Sequence, residues 1–288
     1  MKKKFLSLIM VGVLVLGAAV LTGCGSGNDE AAAGNESGET IVVGLDDTFA
    51  PMGFRDESGE LIGFDIDLAN KVGEELGVNI EFKPIDWNAK EMELKAGTID
   101  CVWNGMSVTP ERKENMALSD KYLNNKIVLM ALADSDTDVT DASQLADLKI
   151  GTQVDSSALG VLKSNEAYDS FKDNVQEYDT YDTAIMDLKA GRIDVIAVDQ
   201  VLGEYTNNNL GGEMKECTYD LGDDFYVIGF AKDNTELRDK VNDALKKLVD
   251  NGEAAKISEK WFGRDIVPYD DLPEEEKDKD RVLVEQLY

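Results

Sequence analysis

The 288-residue chain contains no histidine. That absence removes Ser-His-Asp and Cys-His nucleophile systems and every metal site built on imidazole. Basic residues are scarce: 29 Lys+Arg stand against 58 Asp+Glu, a net charge of -29. So acidic a chain is not suited to neutralising phosphates or to binding an anionic membrane by charge, and no nucleic-acid partner is expected. Cysteines number three. Cys24 lies in the N-terminal segment, Cys101 in an apolar run and Cys217 beside a charged, Gly-rich stretch. The last two read as free thiols, with a disulfide between them as the alternative. What is present is 43% apolar residue, enough for one large domain or two lobes with a real core.

Residues 1–23 read as a targeting segment. Lys2, Lys3 and Lys4 precede an apolar stretch over residues 5–20 that is short for a membrane span. It ends in Leu21-Thr22-Gly23-Cys24, which resembles the bacterial lipobox. The expectation is a signal peptide over 1–23, lipidation at Cys24, and a flexible Gly/Ala/Ser/Asn/Glu-rich tether over 24–40.

The stretch Asn104-Gly105-Met106-Ser107-Val108-Thr109-Pro110-Glu111-Arg112 is the centre of the chain. It follows an apolar run, Ile99 to Trp103, that reads as a buried strand. Thr109 is a candidate N-cap and Pro110 suits the first helical position. A strand therefore ends against a helix N-terminus, where an anion is favoured, and Arg112 can clamp a planar carboxylate from one turn inside. Elsewhere strands and amphipathic helices alternate, which predicts an α/β architecture with a mainly parallel sheet. One helix has Ile66, Ala69, Val72 and Leu76 on one face; another has Leu237, Val241, Ala244, Leu245 and Leu248.

The chain repeats itself. Leu94-Lys95-Ala96-Gly97-Thr98-Ile99-Asp100 recurs as Leu188-Lys189-Ala190-Gly191-Arg192-Ile193-Asp194, each a helix end, a Gly stop and a strand start. The second strand ends on Asp199. Helix–Gly–strand is common in α/β proteins, but two such copies also suit two similar lobes feeding one shared cleft. A third strand–loop–helix start falls at residues 150–158, with Ser156 or Ser157 as N-cap.

The chain is similar to the polar amino-acid-binding proteins of bacterial ABC importers, solute-binding lipoproteins of the type II periplasmic-binding fold. The residues that carry the resemblance are Gly63-Phe64-Asp65-Ile66-Asp67-Leu68, the stretch from Asn104 to Arg112, Ser119-Asp120, Tyr122, Thr235-Glu236-Leu237-Arg238 and Lys260-Trp261-Phe262-Gly263. The resemblance implies two lobes closing on a ligand about two crossing strands, near residues 121–126 and 222–226. The first lobe would span 41–122 and, after the second lobe at 123–225, resume over 226–288 with an acidic tail. It further implies that Arg112 takes an α-carboxylate, helped by backbone N–H groups of Ser107 and Ser157. Asp199 takes the α-ammonium beside the Gly105 carbonyl and the Ser107 hydroxyl, and Phe49 and Trp87 sandwich the side chain. Asp46, Asn104 and Gln153 stand where the family reads that side chain. Asp155 departs from the Gly usual at its place in the second-lobe loop; Asp tolerates a left-handed backbone.

The expected function is capture of a polar amino acid and delivery to a membrane permease by a monomer without cofactor or metal. Neutral polar ligands such as glutamine or cystine rank first and basic ones second; acidic ones rank last, since few cations line the site. Trp87 as plain core and Asp199 as a helix N-cap are the structural alternatives. An enzyme on the same scaffold, dehydratase-like or lytic, and a ligand-sensing receptor subunit are the alternative functions.

Overall fold

The computed structural model describes residues 38–267. The expected signal peptide, the lipidated Cys24, most of the tether and the acidic tail beyond 267 lie outside them. The chain enters as β1 (Thr40–Leu45), one residue before the apolar run begins, because the Asn79 N–H already pairs with the Glu39 carbonyl. Three short strands, β2 (Thr48–Phe49), β3 (Gly53–Arg55) and β4 (Leu61–Ile62), make a small antiparallel sheet that carries Phe49. Helix α1 (Phe64–Leu76) follows, ended by Gly77 in the left-handed region, then β5 (Asn79–Pro84), α2 (Lys90–Ala96) and β6 (Cys101–Ser107). Gly63, before α1, admits no side chain: a Cβ there would sit 2.1 Å from the Met52 carbonyl oxygen.

After α3 (Pro110–Asn115) and β7 (Met116–Leu118) the chain runs into the long β8 (Leu123–Leu132). Then come β9 (Ile150–Gln153), α4 (Ser157–Ser164), α5 (Tyr168–Phe171), β10 (Val175–Tyr178), α6 (Tyr181–Lys189), β11 (Val195–Asp199), α7 (Gln200–Asn209) and β12 (Met214–Glu216). The equally long β13 (Gly222–Ala231) leads to α8 (Thr235–Asp250) and α9 (Glu253–Phe262).

The large sheet has the order β10-β9-β11-β8-β13-β6-β1-β5. Its two ends are parallel triplets, β5-β1-β6 and β11-β9-β10. Between them β8 and β13 run antiparallel to each other, from Leu123 opposite Tyr226 to Ile127 opposite Gly222. Each then leaves its twin: β8 pairs with β11 and β13 with β6. This is a two-lobed α/β fold in which two long strands cross between the lobes, as the resemblance implies.

The sequence repeat is a structural one. Leu94 and Leu188 are buried, as are Ile99 and Ile193, and Gly97 and Gly191 take φ of 67° and 65°. The aspartate that closes each copy does the same work in both lobes. Asp100 accepts from the Val42 N–H at 2.8 Å while its own N–H bonds the Val42 carbonyl; Asp194 does this with Lys149. Each copy thus docks its strand onto the neighbouring parallel strand. The two apolar helix faces read from the sequence are the ones that pack inward: Ile66, Ala69 and Val72 of α1 are buried, as are Val241, Ala244, Leu245 and Leu248 of α8. Leu76 and Leu237 are partly covered at their edges.

Cys101 lies in β6 and Cys217 beyond β12, both free and both buried. Burial pushes both thiols up, Cys101 most. Since the thiolate is the reactive form, a thiol-specific reagent should label neither residue in the native protein and both after denaturation, read by mass spectrometry. Rapid native labelling of Cys101 would contradict this packing.

Candidate ligand-binding site

The parallel strands of both triplets end at the same place, and the loops and helix N-termini that follow enclose one cavity. It has about 270 Å³ of empty space, its opening to solvent included, and is lined by Asp46, Phe49, Trp87, Asn104, Gly105, Ser107, Arg112, Gln153, Ser157 and Asp199, together with Ser156 and Tyr181. The first ten are the residues singled out from the sequence; the last two were not assigned to the ligand.

Arg112 is positioned by its own turn. Thr109 caps α3 by accepting from the Arg112 N–H at 3.1 Å, and Pro110 occupies the first helical position. The buried guanidinium donates to the Ser107 carbonyl at 2.8 Å and to the Asp155 carbonyl at 3.0 Å, and stands 5.8 Å from the Trp87 ring. Asp155 is left-handed with φ 55°, so the turn survives the missing glycine. Its carboxylate does not repel the site's anion pole unopposed, because it pairs with Lys90, whose side chain is 1% exposed. Lys90 Nζ also donates to the Trp87 carbonyl at 3.2 Å and lies 4.8 Å over the Trp87 ring. Burial, then the like charge of Arg112, lowers Lys90 to about 8, against the pull of Asp155. Lys90 escaped the sequence reading; its spacing of three from Trp87 on a helical turn was the available signal.

At the opposite pole Asp199 ends β11 at 3% exposure. It occupies the N-cap position of α7, yet its side chain makes no cap bond. Instead its Oδ1 accepts from Asn125 Nδ2 at 2.7 Å and from the Tyr226 hydroxyl at 2.8 Å. Burial first, and then the charge of Asp224, raises it to about 7. The Ser107 hydroxyl, expected beside the ammonium, donates to Asp224 at 2.7 Å and lies 2.9 Å from the Ser157 hydroxyl. Ser156, not Ser157, is the N-cap of α4, accepting from the Leu159 N–H.

Gly105 has φ 56°, and a Cβ there would meet Phe49 Cε1 at 2.7 Å, so only glycine lets the strand end pass under the Phe49 ring. Its N–H donates at 2.7 Å to Asp65, which also receives the Tyr122 hydroxyl at 2.9 Å. Phe49, Trp87 and Tyr181 form the apolar wall, with the Phe49 and Tyr181 centroids 6.0 Å apart. Trp87 belongs at once to the cavity and to a core cluster with Leu94 and Val108. Tyr181 was legible in the repeat: it stands ten residues before Gly191, as Trp87 stands ten before Gly97.

At the far wall Gln153 Nε2 donates to Asp46 at 2.8 Å and to the Asp179 carbonyl at 3.0 Å. Asp46 also accepts from the Thr48 N–H and hydroxyl. Asp182, on the exposed rim, is raised by partial desolvation and by the charge of Asp46. Asn104 lines the cavity, but its amide is spent on backbone, donating to the Asp46 carbonyl at 3.0 Å and accepting from the Gly53 N–H at 3.2 Å.

Among known proteins, a family model described as bacterial extracellular solute-binding proteins, family 3, matches residues 41–264. The arginine-binding extracellular protein ArtP of Bacillus subtilis (strain 168) is 30% identical over 90% of this chain and 98% of its own length. The L-cystine-binding protein TcyJ of Escherichia coli (strain K12) is 29% identical over 79% of this chain and 84% of its own. A histidine-bound ABC uptake transporter substrate-binding protein from Streptococcus pneumoniae superposes with a TM-score of 0.76 at 36% identity, over 80% of this chain and 95% of that one.

Two outcomes follow from these contacts. Asp65 is raised to about 7, chiefly by burial. The folded chain therefore holds a proton there that the unfolded chain has lost, and the stability tied to it is full below about pH 4 and fades as pH rises through 7. Asp65→Asn should flatten that decline in urea titrations run across the range; an unchanged pH slope would count against it. Lys90→Met removes the ion pair with Asp155 and keeps the bulk over Trp87. It should speed ligand release several-fold in stopped-flow measurements, with the fold retained by circular dichroism.

Proposed function

The chain belongs to the bacterial extracellular solute-binding proteins of family 3, and on that premise we propose that it captures one zwitterionic amino acid outside the cytoplasm and presents it, lobes closed, to a membrane permease. The observation that carries the reading is the pairing of opposite poles in one cavity: the Arg112 guanidinium on one side, the Asp199 carboxylate on the other, aromatic rings between. A zwitterion supplies the complement to both, so neither buried charge is left uncompensated on binding. Nothing in this arrangement calls for chemistry on the ligand. The lobes would be 41–122 with 226–267, and 123–225, hinged where β8 and β13 pair. Lipid anchoring through Cys24 would keep the protein at the membrane it serves.

The far wall bears on the side chain. The names of the relatives specify arginine, cystine and histidine binding, so they give no support for ranking neutral polar ligands above basic ones. Asp46 lines that wall within electrostatic reach of the exposed Asp182, and Asn104, which would have read an amide, is committed to backbone. A basic side chain therefore ranks first, its cationic head taking the place of the Gln153 amide on Asp46, with neutral polar side chains second.

Residues 25–288 should be screened by thermal shift against the common L-amino acids and cystine, after unfolding and refolding to strip any carried ligand. A true ligand at a hundred times its dissociation constant adds about 2.7 kcal/mol of stability. L-Arginine or another basic amino acid should give the largest shift. Arg112→Ala should weaken binding by about 100-fold or more while the fold persists, and Lys at this position should not restore it, since one ammonium cannot make the forked contact. No shift with any amino acid, or unaltered affinity in Arg112→Ala, would sink the assignment.

A further inference from the structure

Asp224 belongs to no part of the site as read so far, yet it is 3% exposed and lies directly behind the ammonium pole. It projects from the crossing strand β13, two residues before Tyr226. Its Oδ2 accepts from the Ser107 hydroxyl at 2.7 Å and from Asn125 Nδ2 at 2.8 Å. The same Nδ2 donates to Asp199 Oδ1 at 2.7 Å. Two buried carboxylates thus converge on one amide nitrogen, and the donors they receive (an amide, two hydroxyls) are all neutral.

Each of the two protons on that nitrogen serves one acid, which orients both carboxylates but supplies no net charge to offset them. Two like charges this close in a desolvated pocket do not both ionise readily. Resting on the amino-acid-binding reading above, we propose that Asp224 is the second carboxylate of the ammonium pole, that it and Asp199 share one proton while no cation is bound, and that arrival of the ligand's ammonium releases this proton to solvent. The exchange balances: the singly protonated pair carries one negative charge, the ammonium adds one positive charge, and the departing proton takes one away. No bond other than O–H breaks. The site then discriminates by charge as well as shape, because only a cationic amine displaces the proton.

The surroundings support this. Burial raises both acids, and the charge of Asp224 raises Asp199 further, to about 7. From α3 the charge of Arg112 reaches Asp224 and lowers it without cancelling the burial. From β13 and α6 the Tyr226 and Tyr181 phenols face Asp199; both are raised and stay neutral near pH 7. Ser107 on β6, Ser157 on α4 and Asn125 on β8 contribute only neutral groups. Among the described residues Asp65, held by Gly105 and Tyr122, is also raised to about 7, and it must be separated in any titration.

The test is isothermal calorimetry with L-arginine in pairs of buffers that differ in ionisation enthalpy, from about pH 6 to about pH 9. In an Asp65→Asn background, binding should release close to one proton at about pH 6 and almost none at about pH 9. Affinity should fall by up to about tenfold per pH unit below neutrality. Asp224→Asn should cut the proton released near neutral pH well below the parent value and shift the affinity loss to lower pH; a melting curve checks that it folds. Buffer-independent heats across the range, or equal release with Asn at 224, would overturn the exchange. Carboxyl-carbon NMR of the ligand-free protein separates this from failure of the function itself. A near-neutral aspartate titration lost in Asp224→Asn, with no amino acid giving heat, would refute the binding reading and the exchange but leave the shared proton. Absence of that titration refutes the shared proton outright.

Discussion

The amide of Asn125 holds together things that would otherwise be separate parts of the protein. It sits on β8, where that strand still pairs with β13, and its one nitrogen bonds an acid on β13 and an acid at the end of β11. Its oxygen receives the Val201 N–H at 3.4 Å, at the start of α7. The two crossing strands therefore also supply the floor beneath Asp199. Tyr226, opposite Leu123 in the crossing pair, adds its hydroxyl to Asp199. Any change in how the strands cross must move the donors of that carboxylate, so the crossing strands and the buried acid are physically one element. A buried acid costs free energy unless its acceptors are filled, and here the filling comes from the crossing strands.

The two halves of the cleft meet through ring contacts, Phe49 against Tyr181 and Phe54 against Tyr205, and through polar ones. Lys90 meets Asp155, Arg112 meets the Asp155 carbonyl, Gln153 meets Asp46, and the Ser107 and Ser157 hydroxyls lie against each other. Net contributions of about 0.5–1.5 kcal/mol for a neutral bond make the sum of the polar contacts a few kcal/mol. Lys90 pulls this balance both ways, since its burial costs much of what its pairing with Asp155 contributes. A ligand that touches both lobes has only to add a comparable increment to make closure nearly complete.

Most of the frame was legible because it is set locally. Thr109 and Pro110 specify a helix start, Gly77 and Gly97 specify helix ends, and apolar runs such as Val195 to Val198 specify buried strands; each signal spans fewer than about eight residues. The ten cavity residues were legible because their types and order match a family pattern. What escaped depends on partners far away in the chain. Asn125 is 74 residues from Asp199 and 99 from Asp224, and Ser107 is 117 from Asp224. On their own strands Asn125 and Asp224 look like ordinary polar interruptions. The partner of Asp155 was hidden too, because Lys90, 65 residues earlier, gave no sign of turning toward it.

The internal repeat explains why the two poles differ although the lobes are alike. Counting from the aspartate that ends each copy, Gly105 in β6 and Asp199 in β11 fall at the same step, five residues on from Asp100 and Asp194. The scaffold offers the same strand-end position twice. In the second lobe that position carries a carboxylate. In the first it cannot carry any side chain, because φ is 56° and the Phe49 ring occupies the space a Cβ would need. The first lobe therefore presents backbone there and supplies its charge from the next element, Arg112 on α3. The aromatic ring that packs over Gly105 thus does two jobs: it walls the cavity, and it excludes a side chain at the step where the second lobe carries Asp199.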